Sequence, residues 1–242
     1  MLHAIEAYPD PDIIWESGPC LVANKPGGLL TQSPPGIDSM ELRIRRYLLR
    51  RENRTGNIYL SPCHRLDRPV SGLLIFVRNV RAARRLSAQF EKRTVLKTYW
   101  AIVEGNVAPS SGTWTDFMRK IPGEARSEIV APDHPDAQFA ALSYSVLKQT
   151  GQCSVLEIEL ETGRTHQIRL QAASRSYSIL GDELYGAKFP FGPQTDDLRL
   201  RWIALMARRL RFQHPMAEEI VDLIAPPSAP WLEQAEFGQN PI

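Results

Sequence analysis

The sequence predicts an α+β fold in which strands outnumber helices. Apolar runs and alternating segments typical of strands recur along the 242 residues, and short turns join most of them. Helical patterns are few and do not alternate regularly with the strands, so a doubly wound parallel sheet is not favoured. A chain of this length can bury about 70% of its unfolded surface, and it therefore needs neither disulfides nor a metal to fold.

Six segments have the pattern of strands: residues 21–23, 72–77, 97–103, 155–161, 203–212 and 220–224. The clearest strand is 155–161, where Leu156, Ile158 and Leu160 alternate with glutamates. This alternation predicts one buried face and one solvated face. Residues 97–103 are rich in aromatic and β-branched side chains, which pack well on a pleated surface.

Three helices are predicted between these strands. Asp38-Ser39 can cap the first helix, in which Met40, Ile44, Tyr47 and Leu48 recur at helical spacing. The second is expected over residues 79–92, with these side chains inward: Val80, Ala83, Ser87 and Phe90. A short third helix is expected at about 165–174, after Gly163. The outer faces of the first two helices carry the arginines Arg43, Arg46, Arg50, Arg81, Arg84 and Arg85.

The net charge of +2 conceals a strong asymmetry along the chain. Residues 1–39 hold one lysine and five acids, a net charge of −4, whereas residues 40–100 hold fifteen bases and four acids, a net charge of +11. Arginine accounts for 23 of the 29 basic residues, and arginine makes bidentate phosphate contacts better than lysine does. The basic block indicates a surface for a polyanion, although a codon bias toward arginine explains it equally well.

Several classes of protein are excluded by composition. The longest apolar stretch, residues 73–77, is far shorter than the ~20 residues of a membrane-spanning helix. The first ten residues lack the basic and apolar regions of a signal peptide. Three scattered cysteines without a CxxC pair support neither a disulfide framework nor a zinc site, so we expect a reducing cytoplasm.

The common catalytic motifs are also missing from the sequence. It contains no GxxxxGK[ST], GxGxxG, HExxH or GxSxG, which disfavours P-loop, Rossmann, zincin and α/β-hydrolase chemistry. Cys63-His64 can be interpreted as a metal-binding pair or as a nucleophile with its base. Adjacent residues rarely point at one ion, so we favour no chemical role for this pair.

Two segments combine charges in a way that indicates a reactive site. In His64-Arg-Leu-Asp67-Arg-Pro-Val-Ser-Gly, one carboxylate stands among arginines in a turn, and nearby cations hold a carboxylate ionised. An ordinary turn aspartate paired with arginine is the alternative at this point. In Glu161-Thr-Gly-Arg-Thr-His-Gln-Ile-Arg169, a helix start offers free amides to an anion, and Arg169 is placed to reach a carboxylate or phosphate.

These segments resemble the RluA-type RNA pseudouridine synthase family. His64-Arg-Leu-Asp followed by Ser-Gly-Leu-Leu resembles its HRLD motif, and Asn24-Lys-Pro-Gly-Gly resembles its NKPxG motif. Lys97-Thr-Tyr is similar to its K-x-Y element. Thr162-Gly-Arg-Thr-His-Gln-Ile-Arg and Ile179-Leu-Gly-Asp…Tyr-Gly are similar to its last two motifs. The five blocks occur in the family's order and together cover about residues 13–225.

The resemblance implies a mixed, mainly antiparallel sheet with flanking helices and a central RNA-binding cleft. It implies isomerisation of uridine to pseudouridine in RNA without a metal or an organic cofactor. By position, Asp67 is the essential carboxylate, Tyr99 packs on the flipped base, and Arg169 is the partner of Asp67. A carboxylate can trap or stabilise an electron-poor sugar, as in glycosidases. Whether Asp67 attacks the sugar or removes a proton from it stays open.

Six further motif residues are assigned to substrate binding: Lys25, Arg65, Arg68, Arg164, His166 and Leu180. Five of them have a structural alternative: an ion pair for Arg65 and Arg68, backbone orientation for His166, a core position for Leu180, and support of its own loop for Lys25. We expect no metal ligands among the motif residues.

Two positions depart from the family pattern. Val70 stands where threonine is more frequent, and Met206 stands where histidine usually precedes an alanine. These changes affect the hydrogen bonding expected near the cleft. They leave the set of Asp67, Tyr99 and Arg169 intact.

The chain is expected to consist of a catalytic domain at 1–225 and a Pro-rich C-terminal extension at 226–242, with no S4-type RNA-binding domain. We expect a cytoplasmic monomer that binds ribosomal or transfer RNA, without metal and without a membrane. Its affinity is expected to come from phosphate contacts by Arg43, Arg46, Arg81, Arg84 and Arg85. A catalytically silent RNA-binding factor on the same scaffold is the alternative function. A convergent carboxylate-dependent hydrolase is a third hypothesis, and it needs a second acid near Asp67.

Overall fold

A computed structural model describes residues 8–234 of the chain. The strands are β1 (Asp12–Ser17), β2 (Cys20–Lys25), β3 (Ser61–Pro62), β4 (Ser71–Val77), β5 (Leu96–Glu104), β6 (Ser111–Lys120), β7 (Ser127–Ile129), β8 (Gln138–Gln149), β9 (Cys153–Leu160), β10 (Leu205–Gln213) and β11 (Ile220–Ile224). The helices are α1 (Met40–Arg51), α2 (Val80–Glu91), α3 (Gln167–Ala173) and α4 (Ala229–Gln234). The α+β prediction is confirmed. No helix in the described range is long and apolar enough to cross a membrane.

The strands form one mixed, mostly antiparallel sheet. Its order is β1-β2-β4-β10-β5-β9-β8-β6-β7, with β3 paired to β4 and β11 paired to β10. The pairing of β4 with β10 is parallel, and the other strand pairs of the described sheet are antiparallel. The predicted mainly antiparallel sheet with few helices is therefore confirmed.

The parallel contact between β4 and β10 depends on a glycine. Gly72 has a φ of +112°, and a Cβ at this position would lie 2.4 Å from the carbonyl oxygen of Ala207. Only glycine adopts this conformation and permits this approach. Ala207 is also paired with Tyr99 on β5. The contact thus brings the turn that precedes β4, which contains Asp67, close to Tyr99.

The core follows from the apolar patterns. All seven residues of β4 are buried, and α1 packs through Met40, Ile44 and Leu48, as predicted, whereas the predicted Tyr47 is only half-buried against the core. Each fully buried aliphatic side chain of this kind stabilises the fold by roughly 1.5–3 kcal/mol. The Ser39 hydroxyl accepts a hydrogen bond from the Leu42 amide, which confirms the predicted cap.

The predicted inward face of α2 is wrong in part. Ala82 and Leu86 are the buried residues of this helix, whereas Val80 is 48% exposed and Ser87 is exposed. The core-facing stripe therefore runs through Ala82 and Leu86, and the predicted Ala83 and Phe90 are partly buried beside it. Arg84 is exposed, as predicted.

The C-terminal extension is joined to the core where the structure describes it. Trp231 of α4 is fully buried, and its ring packs edge to face on Phe191 with a centroid distance of 5.6 Å. The last part of the predicted extension, residues 235–242, lies outside the described residues, as do residues 1–7.

Candidate active site

A cleft of about 1120 Å³ opens beside the sheet. Three connections form its walls: the turn before β4, the link between α2 and β5, and the link between β9 and α3. Asp67, Tyr99 and Arg169, which the sequence assigns to catalysis, all line this cleft. The fold therefore brings together three residues that are separated by 102 positions in the chain.

Asp67 lies in a turn whose backbone is held by hydrogen bonds. The Val70 amide donates to the Asp67 carbonyl oxygen, and the neighbouring Leu66 exchanges two hydrogen bonds with the Thr31 hydroxyl. The Asp67 side chain is 31% exposed toward the cleft. A carboxylate in this position is accessible to a substrate and is held by a rigid backbone.

Arg169 reaches Asp67 from the first turns of α3. Its Nη1 lies 3.3 Å from Oδ2 of Asp67. Its Nε and Nη2 donate to the two oxygens of Asp182 at 2.6 and 2.7 Å. Burial lowers the pKa of Arg169, but the hydrogen bonds and charge of Asp182 outweigh it and raise the pKa overall. Arg169 is therefore a permanent cation beside Asp67.

His166 completes the contacts of Asp67. Its Nε2 lies 3.5 Å from Oδ2 of Asp67, and its Nδ1 lies 2.9 Å from the Tyr185 hydroxyl. That hydroxyl accepts a hydrogen bond from the Ser127 amide of β7. Burial lowers the pKa of His166, although the charge of Asp67 raises it. If the Tyr185 hydroxyl donates to Nδ1, the neutral ring carries its proton on Nε2, facing Asp67.

Asp182 and Tyr185 are site residues that the sequence analysis does not assign. Asp182 is only 1% exposed, and the Tyr185 ring lies 5.1 Å below the guanidinium of Arg169. Both belong to the last of the five motifs. The sequence therefore identifies this segment as a family motif, but it does not predict that Asp182 and Tyr185 hold Arg169 and His166. One signal in the sequence could have indicated the role of Asp182. It directly follows the apolar Ile-Leu-Gly, which suggests that it is buried, and a buried acid needs a charged or hydrogen-bonding partner.

Tyr99 lines the cleft with little exposed surface. It is 8% exposed and is paired on β5 with Ala207 of β10 and Ile158 of β9. Burial, and to a lesser degree the negative charge of Asp67, raises the pKa of Tyr99 well above its ordinary value. Its hydroxyl is therefore protonated at neutral pH.

The prediction that Lys25 binds substrate is wrong. Lys25 has no exposed surface, and its ammonium donates to the carbonyl oxygens of Pro26, Leu29 and Arg68. Burial lowers the pKa of Lys25 to about 7. The side chain ties the NKPxG-like loop to the turn that contains Asp67, which is the structural alternative.

Leu180 does not line the cleft either. It is 2% exposed, and its amide donates to Ile102 in the core. Leu205 is a leucine that does line the cleft. Of the two departures from the family pattern, Val70 lines the cleft and Met206 is buried in β10.

The three other arginines assigned to substrate binding lie in different surroundings. Arg65 is exposed and lines the cleft. Arg164 also lines it, and its Nε donates to the Phe139 carbonyl oxygen. Arg68 turns away and donates to the Gly28 carbonyl oxygen, so it supports the neighbouring loop.

Cys63 and His64 have the surroundings of structural residues. Burial raises the pKa of Cys63 to about 12, so its thiol is not a nucleophile at neutral pH. Burial, with a smaller effect of the Lys97 charge, lowers the pKa of His64 to about 3, and its Nε2 accepts the Ile75 amide. Between residues 8 and 234, no group of three or more His, Cys, Asp or Glu side chains could hold a metal.

Much of the basic block is neutralised by acids that the fold brings to it. The ion pairs are Arg43–Asp38, Arg45–Glu41, Arg50–Asp10, Arg51–Glu16, Arg78–Glu16 and Arg78–Glu52. The prediction that Arg43 and Arg46 are exposed phosphate contacts is wrong, because Arg43 is paired and Arg46 is half-buried over the Tyr8 ring at 5.0 Å.

The described geometry can be compared with known proteins. The model of the family "RNA pseudouridylate synthase" matches residues 19–174. An uncharacterised RNA pseudouridine synthase of Bacillus subtilis, YhcT, is 31% identical over 225 residues, which cover 92% of this chain and 70% of that protein. The ribosomal large subunit pseudouridine synthase C of Vibrio parahaemolyticus is 31% identical over 214 residues, which cover 88% of this chain and 65% of that protein.

The chain spans about two thirds of the length of these bacterial relatives. An uncharacterised RNA pseudouridine synthase of Synechocystis is 28% identical over 230 residues, and the chain spans 65% of its length. Among solved structures, human RNA pseudouridylate synthase domain containing 4 superposes with a TM-score of 0.72 at 23% identity. That match covers 93% of this chain and 92% of the human chain, and it shows a shared fold.

Proposed function

Because the chain belongs to the RNA pseudouridylate synthase family, we propose that it converts uridine in RNA to pseudouridine, with Asp67 as the essential carboxylate. The observation that carries this proposal is the Asp67–Arg169 ion pair beside Tyr99 in the cleft. A silent RNA-binding factor has no need for an accessible carboxylate held by a buried arginine.

The contacts of Asp67 leave one of its oxygens for the substrate. Arg169 and His166 both approach Oδ2, and in the described part of the chain no hydrogen bond reaches Oδ1. Oδ1 is therefore the atom that faces the sugar. It can bond to C1′ or take a proton from the sugar, and both routes need the ionised carboxylate that Arg169 maintains.

The proposed reaction is an isomerisation that needs no co-reactant. The C1′–N1 bond breaks, the uracil turns, and C5 bonds to C1′. The proton on C5 leaves, and N1 gains a proton. Asp67 stabilises the electron-poor sugar while the base is detached, as a glycosidase carboxylate does.

Tyr99 serves in this scheme as the wall against which the base packs. Its raised pKa keeps the phenol neutral, so its oxygen can donate a hydrogen bond or accept one, but it is not a phenolate base. A uridine must leave its stack to reach this wall. The cleft of about 1120 Å³ exceeds the ~300–1,000 Å³ of a single small-molecule site, so neighbouring nucleotides can enter with it.

The RNA class is proposed from the names of relatives. A relative described as a ribosomal large subunit pseudouridine synthase supports ribosomal RNA as the first candidate. Transfer RNA is the second candidate, from the resemblance to the family. We propose that the protein acts as a monomer in the cytoplasm.

Pseudouridine mapping tests this proposal. Ribosomal and transfer RNA from cells with and without the gene are compared, and purified protein is then added to RNA from the deletion strain. We expect at least one pseudouridine to be lost on deletion and restored in vitro. An unchanged map, with no product from purified protein, would support the silent RNA-binding factor instead.

A further inference from the structure

Arg93 has a backbone conformation that arginine rarely adopts. It follows the last turn of α2 with a φ of +57°, and its amide donates to Phe90 while the Thr94 amide donates to Gln89. Glycine is the usual residue at this position because it has no Cβ to strain. At the end of α1 the matching residue is Asn53, the most tolerant alternative to glycine. An arginine here points to a role for its side chain.

The Arg93 side chain is exposed and lines the cleft beside Leu96 and Lys97. Within residues 8–234 no acid lies within ion-pair distance of Arg93 or Lys97, in contrast to the paired arginines of α1. Burial lowers the pKa of Lys97, and the charge of Arg93 lowers it further, so the two cations repel each other. An anion placed between them would relieve this repulsion.

The opposite wall has a different charge. Glu159 and Glu161 line the cleft from the β9 side, so phosphates are disfavoured there. Lys97 extends toward this wall, and its ammonium lies 3.6 Å from where a Cβ of Gly163 would be. Leu96 is 56% exposed between the two cations, which offers an apolar surface to a base.

We propose that Arg93, Leu96 and Lys97 form a docking rim for the phosphate backbone of single-stranded RNA, with Arg93 as its anchoring cation. This inference rests on the proposed function and deepens it. It places the strand along the α2–β5 side of the cleft rather than along the arginines of α1. The left-handed backbone of Arg93 ends α2 at the cleft, where its side chain is exposed and forms part of the lining.

Replacement of Arg93 by glycine tests the rim because stability and binding should change in opposite directions. The probe is a labelled oligouridine strand of about 16 nucleotides, the upper range of single-strand sites. We expect the thermal midpoint of Arg93→Gly to be equal to or higher than that of the wild type. Affinity at low salt should fall about tenfold, and the magnitude of the slope of log affinity against log salt should decrease by about 0.7, the value for one phosphate of a single strand. Arg93→Lys should retain most of the slope.

Two control variants separate the effect of the backbone change at Arg93 from the effect of the lost positive charge. Asn53→Gly changes the corresponding position of α1 and should leave RNA affinity unchanged. Arg126→Ala removes an exposed arginine between β6 and β7 that does not line the cleft, and its salt slope should equal that of the wild type. The rim would be overturned if Arg93→Gly kept the wild-type slope or affinity, or if its midpoint were lower than that of the wild type. It would also be overturned if Arg126→Ala lost affinity equally, or if the wild-type protein did not bind the strand.

The binding readout separates this inference from the proposed function. A wild-type protein that forms pseudouridine, together with an Arg93→Gly variant that binds normally, would overturn the rim alone. A protein that binds the strand through Arg93 but forms no pseudouridine in any RNA would support the rim and overturn the proposed function.

Discussion

Arg169 and Asp182 form a bidentate ion pair in the interior of the protein. The Nε–Oδ2 and Nη2–Oδ1 distances are 2.6 and 2.7 Å, and the two residues are 5% and 1% exposed. This pair uses two of the three guanidinium nitrogens and leaves Nη1 to face Asp67. The orientation of the proposed catalytic carboxylate is therefore determined by a second carboxylate on the far side of the arginine.

Removal of Arg169 should impair both stability and turnover. Arg169→Ala leaves Asp182 buried without a partner, which costs about 3–5 kcal/mol of unfolding free energy. The double variant Arg169→Met, Asp182→Leu replaces the buried pair with apolar groups and should recover much of this stability. We expect it to remain inactive, because Asp67 has lost its cation. Denaturant titration and pseudouridine assays measure the two effects.

The outcome for the double variant decides whether the Arg169–Asp182 pair is needed for turnover as well as for stability. A double variant that is both stable and active would show that Arg169 has only a packing role. Asp116→Asn is a control, because Asp116 pairs with Arg175 away from Asp67, and it should lower stability without a specific loss of turnover.

Tyr99→Phe should separate the ring from its hydroxyl. The ring that packs on the base is retained, so affinity for RNA should change less than about twofold. Turnover should fall by roughly 10²-fold if the hydroxyl takes part in proton transfer. Single-turnover assays at saturating protein measure this step, and unchanged turnover would exclude the hydroxyl from the reaction.

The buried Lys25 should make stability depend on pH. Its pKa is about 7 in the folded protein and about 10.4 in an unfolded chain. Between these values the unfolded chain holds a proton that the folded chain lacks, so the free energy of unfolding rises with pH. Relative to Lys25→Met, the wild type should gain up to roughly 4 kcal/mol between about pH 7 and pH 10. A difference that is constant or falls with pH would contradict this assignment.

Chelation should leave activity unchanged. The residues described at the site include no cluster with metal-binding geometry, and the proposed chemistry uses only Asp67 and its neighbours. We expect full turnover in excess EDTA on an RNA whose folding does not need magnesium. Loss of activity that zinc restores would contradict the proposed mechanism.

The sequence predicts those parts of the fold that repeat a simple period. The alternation in β9 and the capped helix α1 are examples, since each buries one regular stripe. The long strands β6 and β8 are not predicted from the sequence, although they pair over eight residue positions. These two segments mix glycine, charged and aromatic residues, so neither has a clear alternating pattern. The strands stabilise each other by pairing.

The order of the motifs predicts which residues meet in the cleft as the proposed catalytic set, but it does not predict the residues that support them. Asp182 and Lys25 are buried charges whose partners lie far apart in the sequence or are backbone carbonyls. The charge asymmetry of the chain is similarly misleading, because folding places Asp10 and Glu16 on the arginines of α1. Only tertiary structure reveals which cations remain without an acid.

The central claim is that Asp67 performs the chemistry, and Asp67→Asn tests it most directly. Asparagine keeps the shape of the side chain and its hydrogen bond from Arg169, but it carries no negative charge for the sugar. Pseudouridine formation is measured with wild-type and Asp67→Asn protein on the same RNA, alongside RNA affinity and thermal midpoint. The account predicts no detectable product from Asp67→Asn, with affinity and midpoint close to those of the wild type. Product formed by a pure Asp67→Asn preparation at a rate near that of the wild type would contradict it.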